Sequence, residues 1–204
     1  MERRDNYAIQ AQQAKLRFLT YDQQVIIEKL QLRADETWLY IPMLGRLYRI
    51  GREDGNFQRQ AGETWQDANS YEEVMTLLDL LCDSKKDRYL TGKWKNLQEF
   101  GRMFHRTLLE EKDPWAERFQ AEPEKFRKAC LALGGVAIPQ GDIAYAIELF
   151  EGLRIGVQLW FGDEEFPPNL RYLWDENALM YLKYETMYFA KALLLYRLRE
   201  EMEK

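Results

Sequence analysis

The chain has 204 residues and a mass of 24.5 kDa, a size at which a single domain can bury a substantial core. It is 46% hydrophobic and 31% charged, a composition that excludes a disordered chain. The net charge of -5 gives no attraction to phosphate backbones or anionic lipid, so we expect neither nucleic acid nor a membrane as a partner.

Targeting and metal-binding signals are missing from the sequence. The opening stretch MERRDNYAIQ lacks the apolar core of a secretory signal, and no apolar run is long enough to span a bilayer, which predicts a cytoplasmic protein. Cys82 and Cys130 are the only cysteines and lie far apart, so no disulfide framework is expected and both are interpreted as buried, reduced side chains. With His105 as the only imidazole, a closed zinc site is excluded, and a structural or surface role is favoured for this histidine.

The N-terminal part of the chain predicts helices followed by strands. Residues 6–32 carry an apolar stripe at helical spacing, interrupted near Thr20, with Asp22 as the N-cap of a second helix. From Thr37 to Gln60, short aromatic and β-branched runs alternate with glycine and predict a β-meander. A type I′ turn is expected at Asp54-Gly55.

Three further helix starts are marked by capping signals. Ser70 and Glu73 form a capping box, in which the serine hydroxyl accepts the Glu73 N–H and Glu73 reaches back to the serine N–H. Asp113-Pro114 and Glu122-Pro123 each place a proline at the first helical position. The second of these helices should end at Gly134-Gly135.

The last part of the chain predicts a hairpin and a terminal helix. The apolar runs AYAIELF and RIGVQLW indicate a mostly buried hairpin over residues 144–161. The segment from Glu185 to Lys204 lacks Gly and Pro, and we interpret it as a core helix with a solvated, charged end from Arg197 onward. The whole chain, residues 1–204, is thus expected to be a single α+β domain. Its antiparallel sheet would come from two separated β regions, with helices at both termini and between them.

Carboxylates are the main candidates for chemistry, because the usual hydrolase and nucleotide-binding motifs are absent. Asp142 precedes the predicted hairpin, while Asp163 and Glu165 follow it in the stretch LWFGDEEFPPN. Because Asp142 enters and Asp163 leaves the hairpin, these two could meet at one end of the sheet. Such groups can divide acid and base roles or bind a divalent cation. Asp175-Glu176 is a further acidic candidate. The favoured interpretation of the LWFGDEEFPPN acids is nevertheless a turn or cap, since Gly-Asp and Pro-Pro end a strand.

Aromatic residues crowd the same region of the sequence. This density is typical of a ligand-lined cleft or an interface, and also of an ordinary aromatic core. Trp160 and Trp174 therefore join Asp142, Asp163 and Glu165 as candidate ligand-binding residues. No catalytic residue, metal ligand or cofactor is assigned.

Several blocks of the sequence resemble a known family. NYAIQAQ, YIPMLGRLYRI, YLTGKW, LGGVAIPQGDIAYAIELF and LWFGDEEFPPNLRYLWD occur in the order found in the uncharacterised DUF3786 family of bacteria and archaea. The last two blocks are the most specific and make signature positions of Gly141, Asp142, Gly162, Asp163, Glu165, Phe166 and Pro167. The resemblance implies a cytoplasmic protein of an anaerobe. Some relatives look to carry an iron–sulfur module, and because this chain has no cysteine cluster, any redox role would be exercised through a partner.

Three functional hypotheses follow. The first rests mainly on the resemblance and is a non-catalytic binding or accessory domain of anaerobic redox or metal-cofactor metabolism, acting with a small ligand, a metal centre, or an iron–sulfur or other redox protein. The second is a carboxylate-dependent hydrolase or lyase using Asp142, Asp163 and Glu165, which requires these groups to converge in a pocket rather than cap backbone N–H groups. The third is a protein-interaction module that uses the C-terminal helix. A homo-oligomer is compatible with each of them.

Overall fold

The computed structural model describes residues 2–100 and 114–204, and for residues 2–8 the backbone alone. The chain divides into two compact units, one formed by Met1–Tyr89 and Leu179–Leu193, the other by Leu90–Ala178 and Leu194–Lys204. The described residues of each unit form one five-stranded antiparallel sheet. The α+β class is confirmed, with helices at both termini and between the β regions. Each β region forms a sheet of its own, and the single domain over residues 1–204 stays a prediction.

The first unit builds its sheet from neighbouring hairpins in the strand order β1-β2-β3-β4-β5. Its elements are α1 (Glu2–Phe18), α2 (Gln23–Leu30), β1 (Arg33–Ala34), β2 (Trp38–Met43), β3 (Arg46–Gly51), β4 (Phe57–Ala61), β5 (Thr64–Asp67), α3 (Tyr71–Leu78) and a π-helical turn (Asp79–Asp83). Alternate residues of β2, namely Leu39, Ile41 and Met43, are buried, as expected for a strand with one face on a core.

The meander is confirmed, but the turn prediction within it is wrong. The type I′ geometry lies at Leu44-Gly45, where both residues have positive φ (47° and 67°). At Asp54-Gly55 only the glycine has positive φ, and the loop is longer. The Gly51 N–H donates to the Asn56 carbonyl at 2.9 Å, and Asp54 accepts the Asn56 N–H. The Asp54 side chain thus supplies a hydrogen bond in a turn that was expected to be formed by the backbone alone.

The helix caps of the first unit use the residues that the sequence indicates. Asp22 accepts the N–H groups of Gln24 and Val25 at the start of α2. Ser70 accepts the Glu73 N–H at 3.1 Å at the start of α3. The Glu73 carboxylate, however, accepts from the Ser70 hydroxyl, Arg59 and Tyr48 rather than from the Ser70 N–H. The capping box is therefore half formed, because the half-buried Arg59 competes for the buried Glu73 carboxylate.

The second unit has the strand order β6-β10-β9-β8-β7. Its elements are β6 (Trp94–Asn96), α4 (Leu97–Phe100), α5 (Trp115–Ala121), α6 (Pro123–Ala132), β7 (Val136–Ala137), β8 (Ile143–Phe150), β9 (Leu153–Trp160) and β10 (Asn169–Asp175). The predicted hairpin is β8–β9, and nearly all of its side chains are buried. Helix α6 begins at Pro123 and is closed by the Gly135 N–H donating to the Cys130 carbonyl, as predicted. The cap expected at Asp113 lies outside the described residues.

The predicted terminal helix is found, but its end is more buried than expected. A 3-10 turn (Ala178–Met180) precedes α7 (Tyr184–Met202), and both have residues in the two units. The solvated end expected from Arg197 is wrong, because Leu198 and Met202 are buried and Arg197 is only 8% exposed. Arg197 pairs with Glu200 and Glu201 on the next turn, which lets a charged sequence remain helical and packed. None of the helices described is long and apolar enough to cross a membrane.

Candidate functional site

The stretch LWFGDEEFPPN forms the connection between two neighbouring strands of the second unit. β9 and β10 are antiparallel, and their last paired residues at this end are Trp160 and Asn169. Residues 161–168 connect them and are called the signature loop below. Gly162 allows the loop to fold back on itself, because a Cβ placed there would lie 2.5 Å from the Pro168 nitrogen and 2.7 Å from the Phe166 carbonyl oxygen. The glycine is thus required by a close backbone approach.

Asp163 closes the signature loop by hydrogen bonding to its backbone. One oxygen, Oδ1, accepts the N–H of Glu165 at 2.9 Å and that of Phe166 at 2.8 Å. The Asp163 N–H donates to the Phe166 carbonyl at 2.9 Å. These backbone donors, that of Phe166 first, lower the pKa of the Asp163 carboxyl below its usual value. The side chain makes an Asx turn, the structural role that the sequence favoured.

Asp142 fixes the other side of the loop. Its carboxylate accepts the Phe161 N–H at 2.7 Å, and its own N–H donates to the Leu159 carbonyl at 2.9 Å. Asp142 therefore lies at the same end of the sheet as the signature loop, as the hairpin geometry predicts. It shares with Asp163 the function of binding a backbone N–H group.

The remaining loop carboxylates point to solvent. Glu164 and Glu165 are both exposed. Within the part of the chain that the structure describes, their side chains form no hydrogen bond or ion pair. No group of three or more His, Cys, Asp or Glu residues that could hold a metal ion occurs in residues 2–100 and 114–204. Asp163 and Glu165 lie in the signature loop and Asp142 contacts it, but the three are not a metal cluster.

The aromatic candidates separate into core and surface residues. Trp174 is fully buried in β10, so it belongs to the core. Trp160 at the end of β9 is 39% exposed, and the guanidinium of Arg171 lies 6.0 Å from its ring centroid. In the loop itself, Phe161 is 43% and Phe166 is 67% exposed. These two phenylalanines were not singled out as binding residues from the sequence, although a phenylalanine beside Pro-Pro in a turn is a signal for exposure.

Asp175 is a buried carboxylate that organises another loop of the second unit. It accepts the N–H groups of Thr91 and Gly92 at 3.0 and 2.7 Å, in the block YLTGKW, and that of Asn177 at 2.9 Å. Glu176 forms ion pairs with Lys93 and Lys95. This second acidic pair is thus also engaged in holding backbone and neighbouring side chains, not in a free cluster.

The cysteines and the histidine provide no reactive pair among the described residues. Burial raises the pKa of the Cys82 thiol to about 12, and the pKa of Cys130 is raised by the same cause. Cys130 is buried as predicted, whereas Cys82 is half-buried. His105 lies outside the described residues.

Comparison with known proteins identifies the family. No curated protein and no solved structure matches the chain. A family model described as "Domain of unknown function (DUF3786)" matches residues 22–197, which include both sheets, the signature loop and Asp142. The match covers far more than half of the sequence and agrees with the resemblance seen in its motifs. The chain therefore belongs to the DUF3786 family.

Proposed function

We propose that the chain is a non-catalytic accessory domain that binds a partner protein through the signature loop. The observation that carries the proposal is the contrast within this loop. Asp163 in the loop and Asp142 beside it accept backbone N–H groups, while Phe161 and Phe166 remain exposed. The acids build the loop and the aromatic side chains are left available for contact.

A rigid loop that exposes aromatic side chains has the properties of a binding surface. Large aromatic residues are enriched among those that contribute most to protein interfaces. Backbone hydrogen bonds fix the loop before binding, which reduces the entropy lost when a complex forms. The Phe166 N–H and carbonyl are both bonded to Asp163, so its main chain is held in place while its side chain faces water.

The class of partner is proposed from the family resemblance. It is an iron–sulfur or other redox protein of anaerobic metabolism. The high thiol pKa values support a role without redox chemistry of the domain's own, since thiolates rather than thiols are the reactive species.

The contacts give less support to a carboxylate-dependent hydrolase or lyase. A general acid needs a raised pKa, whereas the pKa of Asp163 is lowered by backbone donors. Carboxylate oxygens of Asp142 and Asp163 also accept structural hydrogen bonds from backbone N–H groups. We therefore do not advance a catalytic function.

Native mass spectrometry of protein purified anaerobically from its host tests the proposal. We expect the wild-type chain to retain a protein partner and the Phe166→Ser variant to lose it. Leu131→Ser is the matched control, because Leu131 is 57% exposed on α6 of the same unit, and it should retain the partner. A wild-type chain that carries no protein, or a Phe166→Ser variant that keeps the partner fully, would overturn the proposal.

A further inference from the structure

We infer that the partner surface receiving the signature loop is an apolar pocket for Phe166 rimmed by Lys and Arg residues of the partner. This inference rests on the proposed function and specifies the chemistry of the partner. It comes from the charges that surround the exposed phenylalanines, together with the way in which the loop presents Phe166.

Negative charge is concentrated at the signature loop. Four exposed carboxylates lie within it or contact it, those of Asp142, Asp163, Glu164 and Glu165. None of the four forms an ion pair with a residue in the ranges 2–100 and 114–204. Two of them bind backbone N–H groups, and the other two have no contact of this kind. Their charge is therefore uncompensated by the described residues and available to a partner.

Among the described residues, the contacts at this end of the sheet include two arginines. Arg127 donates to the Asp142 carbonyl at 3.3 Å, but its guanidinium also forms an ion pair with Glu124 at 3.5 Å. Arg171 lies over the ring of Trp160. The described residues thus place four carboxylates and two guanidinium groups at this end of the sheet. One of these guanidinium groups, that of Arg127, forms an ion pair with Glu124. Among the described residues, the formal charge at the loop is therefore negative, as is the net charge of the chain, -5.

Charge complementarity selects among the surfaces that could cover the phenylalanines. A basic rim would be attracted to the loop, and complementary potentials increase association rates and suppress wrong partners. A second copy of this chain would bring the same carboxylates to the interface and be repelled. Nucleic acid and anionic lipid would be repelled for the same reason.

Phe166 is suited to act as the central anchor of such an interface. It is 67% exposed, more than any other aromatic residue of the second unit among the residues described. Glu164 and Glu165 directly precede it, so charged groups flank the apolar side chain. A buried aromatic anchor surrounded by polar contacts that exclude water is the usual arrangement of an interface hot spot.

Photo-crosslinking identifies the surface that Phe166 contacts. Position 166 is replaced with p-benzoylphenylalanine in the full chain, position 131 is replaced in a control, and both are irradiated in the host under anaerobic conditions. We expect position 166 to crosslink one protein, through a segment in which Lys or Arg flank apolar residues, and position 131 not to crosslink it. A crosslink to an acidic segment, to nucleic acid or to a second copy of this chain would overturn the inference.

Charge reversal in the signature loop tests the basic rim independently, through the affinity of the variant for the purified partner. The double variant Glu164→Lys, Glu165→Lys should weaken binding by about tenfold or more, and the loss should shrink as salt is raised. Glu36→Lys is the matched control, because Glu36 is exposed in the first unit, and we expect its affinity to equal that of the wild type. Unchanged binding by the double variant would contradict the basic rim while leaving the proposed function intact. Absence of any protein crosslink at position 166 would reject the proposed function as well.

Discussion

Asp163 holds the signature loop with a single oxygen that accepts two backbone N–H groups. Asparagine has an equivalent oxygen and alanine has none, so the two substitutions separate hydrogen bonding from charge. In Asp163→Ala we expect hydrogen exchange of the Glu165 and Phe166 amides to accelerate by about fivefold or more. Asp163→Asn should leave both amides protected. NMR-detected exchange measures this, and equal loss of protection in both variants would contradict the Asx turn.

The lowered pKa of Asp163 gives its contribution a definite pH dependence. A carboxyl group whose pKa is lowered in the folded state stabilises that state at pH values above its unfolded pKa, which is about 3.9 for aspartate. This contribution is lost as the pH falls through the lower pKa of the folded state. We therefore expect the Phe166 amide of the wild type to lose protection in acid, below about pH 4. Asp163→Asn has no carboxyl to titrate at this position, so its Phe166 amide should stay protected. Parallel acid loss in the variant would show that another group controls the loop.

Gly162 permits the backbone approach that closes the signature loop. Its substitution by alanine would place a Cβ 2.5 Å from the Pro168 nitrogen, a distance that forces the backbone to move. We expect Gly162→Ala to lower the free energy of unfolding by about 1–3 kcal/mol, as overpacked sites do. Glu164→Ala, in the same loop and without a side-chain hydrogen bond or ion pair to the described residues, should change the free energy of unfolding by less than about 0.5 kcal/mol. Urea denaturation measures both, and equal stability of the two variants would contradict the close approach.

Strand β10 and the block YLTGKW are joined by the buried carboxylate of Asp175. The Thr91 and Gly92 N–H groups both donate to Oδ2, and the Asn177 N–H donates to Oδ1. In Asp175→Asn one of these oxygens becomes an NH2 group facing a donor, so at least one of the three N–H groups loses its acceptor. We expect a loss of about 1–3 kcal/mol in the free energy of unfolding.

The neighbouring acid provides a control for the Asp175 prediction. Glu176 is half-buried and its ion pairs with Lys93 and Lys95 are 3.6 and 3.8 Å long. Glu176→Gln should therefore cost less than about 1 kcal/mol. Comparable losses in Asp175→Asn and Glu176→Gln, measured by chemical denaturation, would show that the N–H contacts of Asp175 are unimportant.

The π-helical turn and the start of α7 are linked by the buried carboxylate of Asp79. Asp79 accepts the Lys183 N–H and the Lys183 ammonium, both at 3.0 Å, and Lys183 also pairs with Asp83. Lys183→Met would leave Asp79, whose side chain is fully buried, without its cation. Removing one partner of a buried pair costs about 3–5 kcal/mol, but Lys183 is 49% exposed and its backbone bond remains, so we expect about 1–3 kcal/mol.

An exposed lysine tests whether this cost is specific. Lys128 on α6 is exposed and forms no side-chain hydrogen bond or ion pair with the described residues. Lys128→Met should change the free energy of unfolding by less than about 0.5 kcal/mol. Thermal or urea unfolding compares the two variants, and a Lys183→Met protein as stable as Lys128→Met would contradict the importance of the Asp79 contact.

Across the chain, the local patterns were the features that could be predicted. The hairpin over residues 144–161, the caps at Asp22 and Ser70, and the start of α6 at Pro123 each depend on neighbouring residues, and each is found. The Asx turn at Asp163 was favoured for the same reason.

Contacts between distant parts of the sequence could not be predicted. Asp79 and Lys183 are separated by 104 positions, and no local pattern indicates that they meet. For the same reason, the sequence did not predict that the two β regions form separate sheets. Each sheet is completed by further strands of its own. Trp160 and Trp174 look alike in sequence, but only the strand register shows that one is exposed and the other buried.

The most direct test of partner binding through the signature loop is a hydrogen-exchange footprint of the full chain with and without its purified partner. Binding should slow exchange in residues 160–171, which include Trp160, the loop and Arg171. Exchange should be unchanged in helix α7. It should also be unchanged on the face of the first sheet where the Arg49 guanidinium lies 4.3 Å from the Trp65 ring centroid. Protection confined to that sheet face or to α7, with none in residues 160–171, would contradict binding through the signature loop.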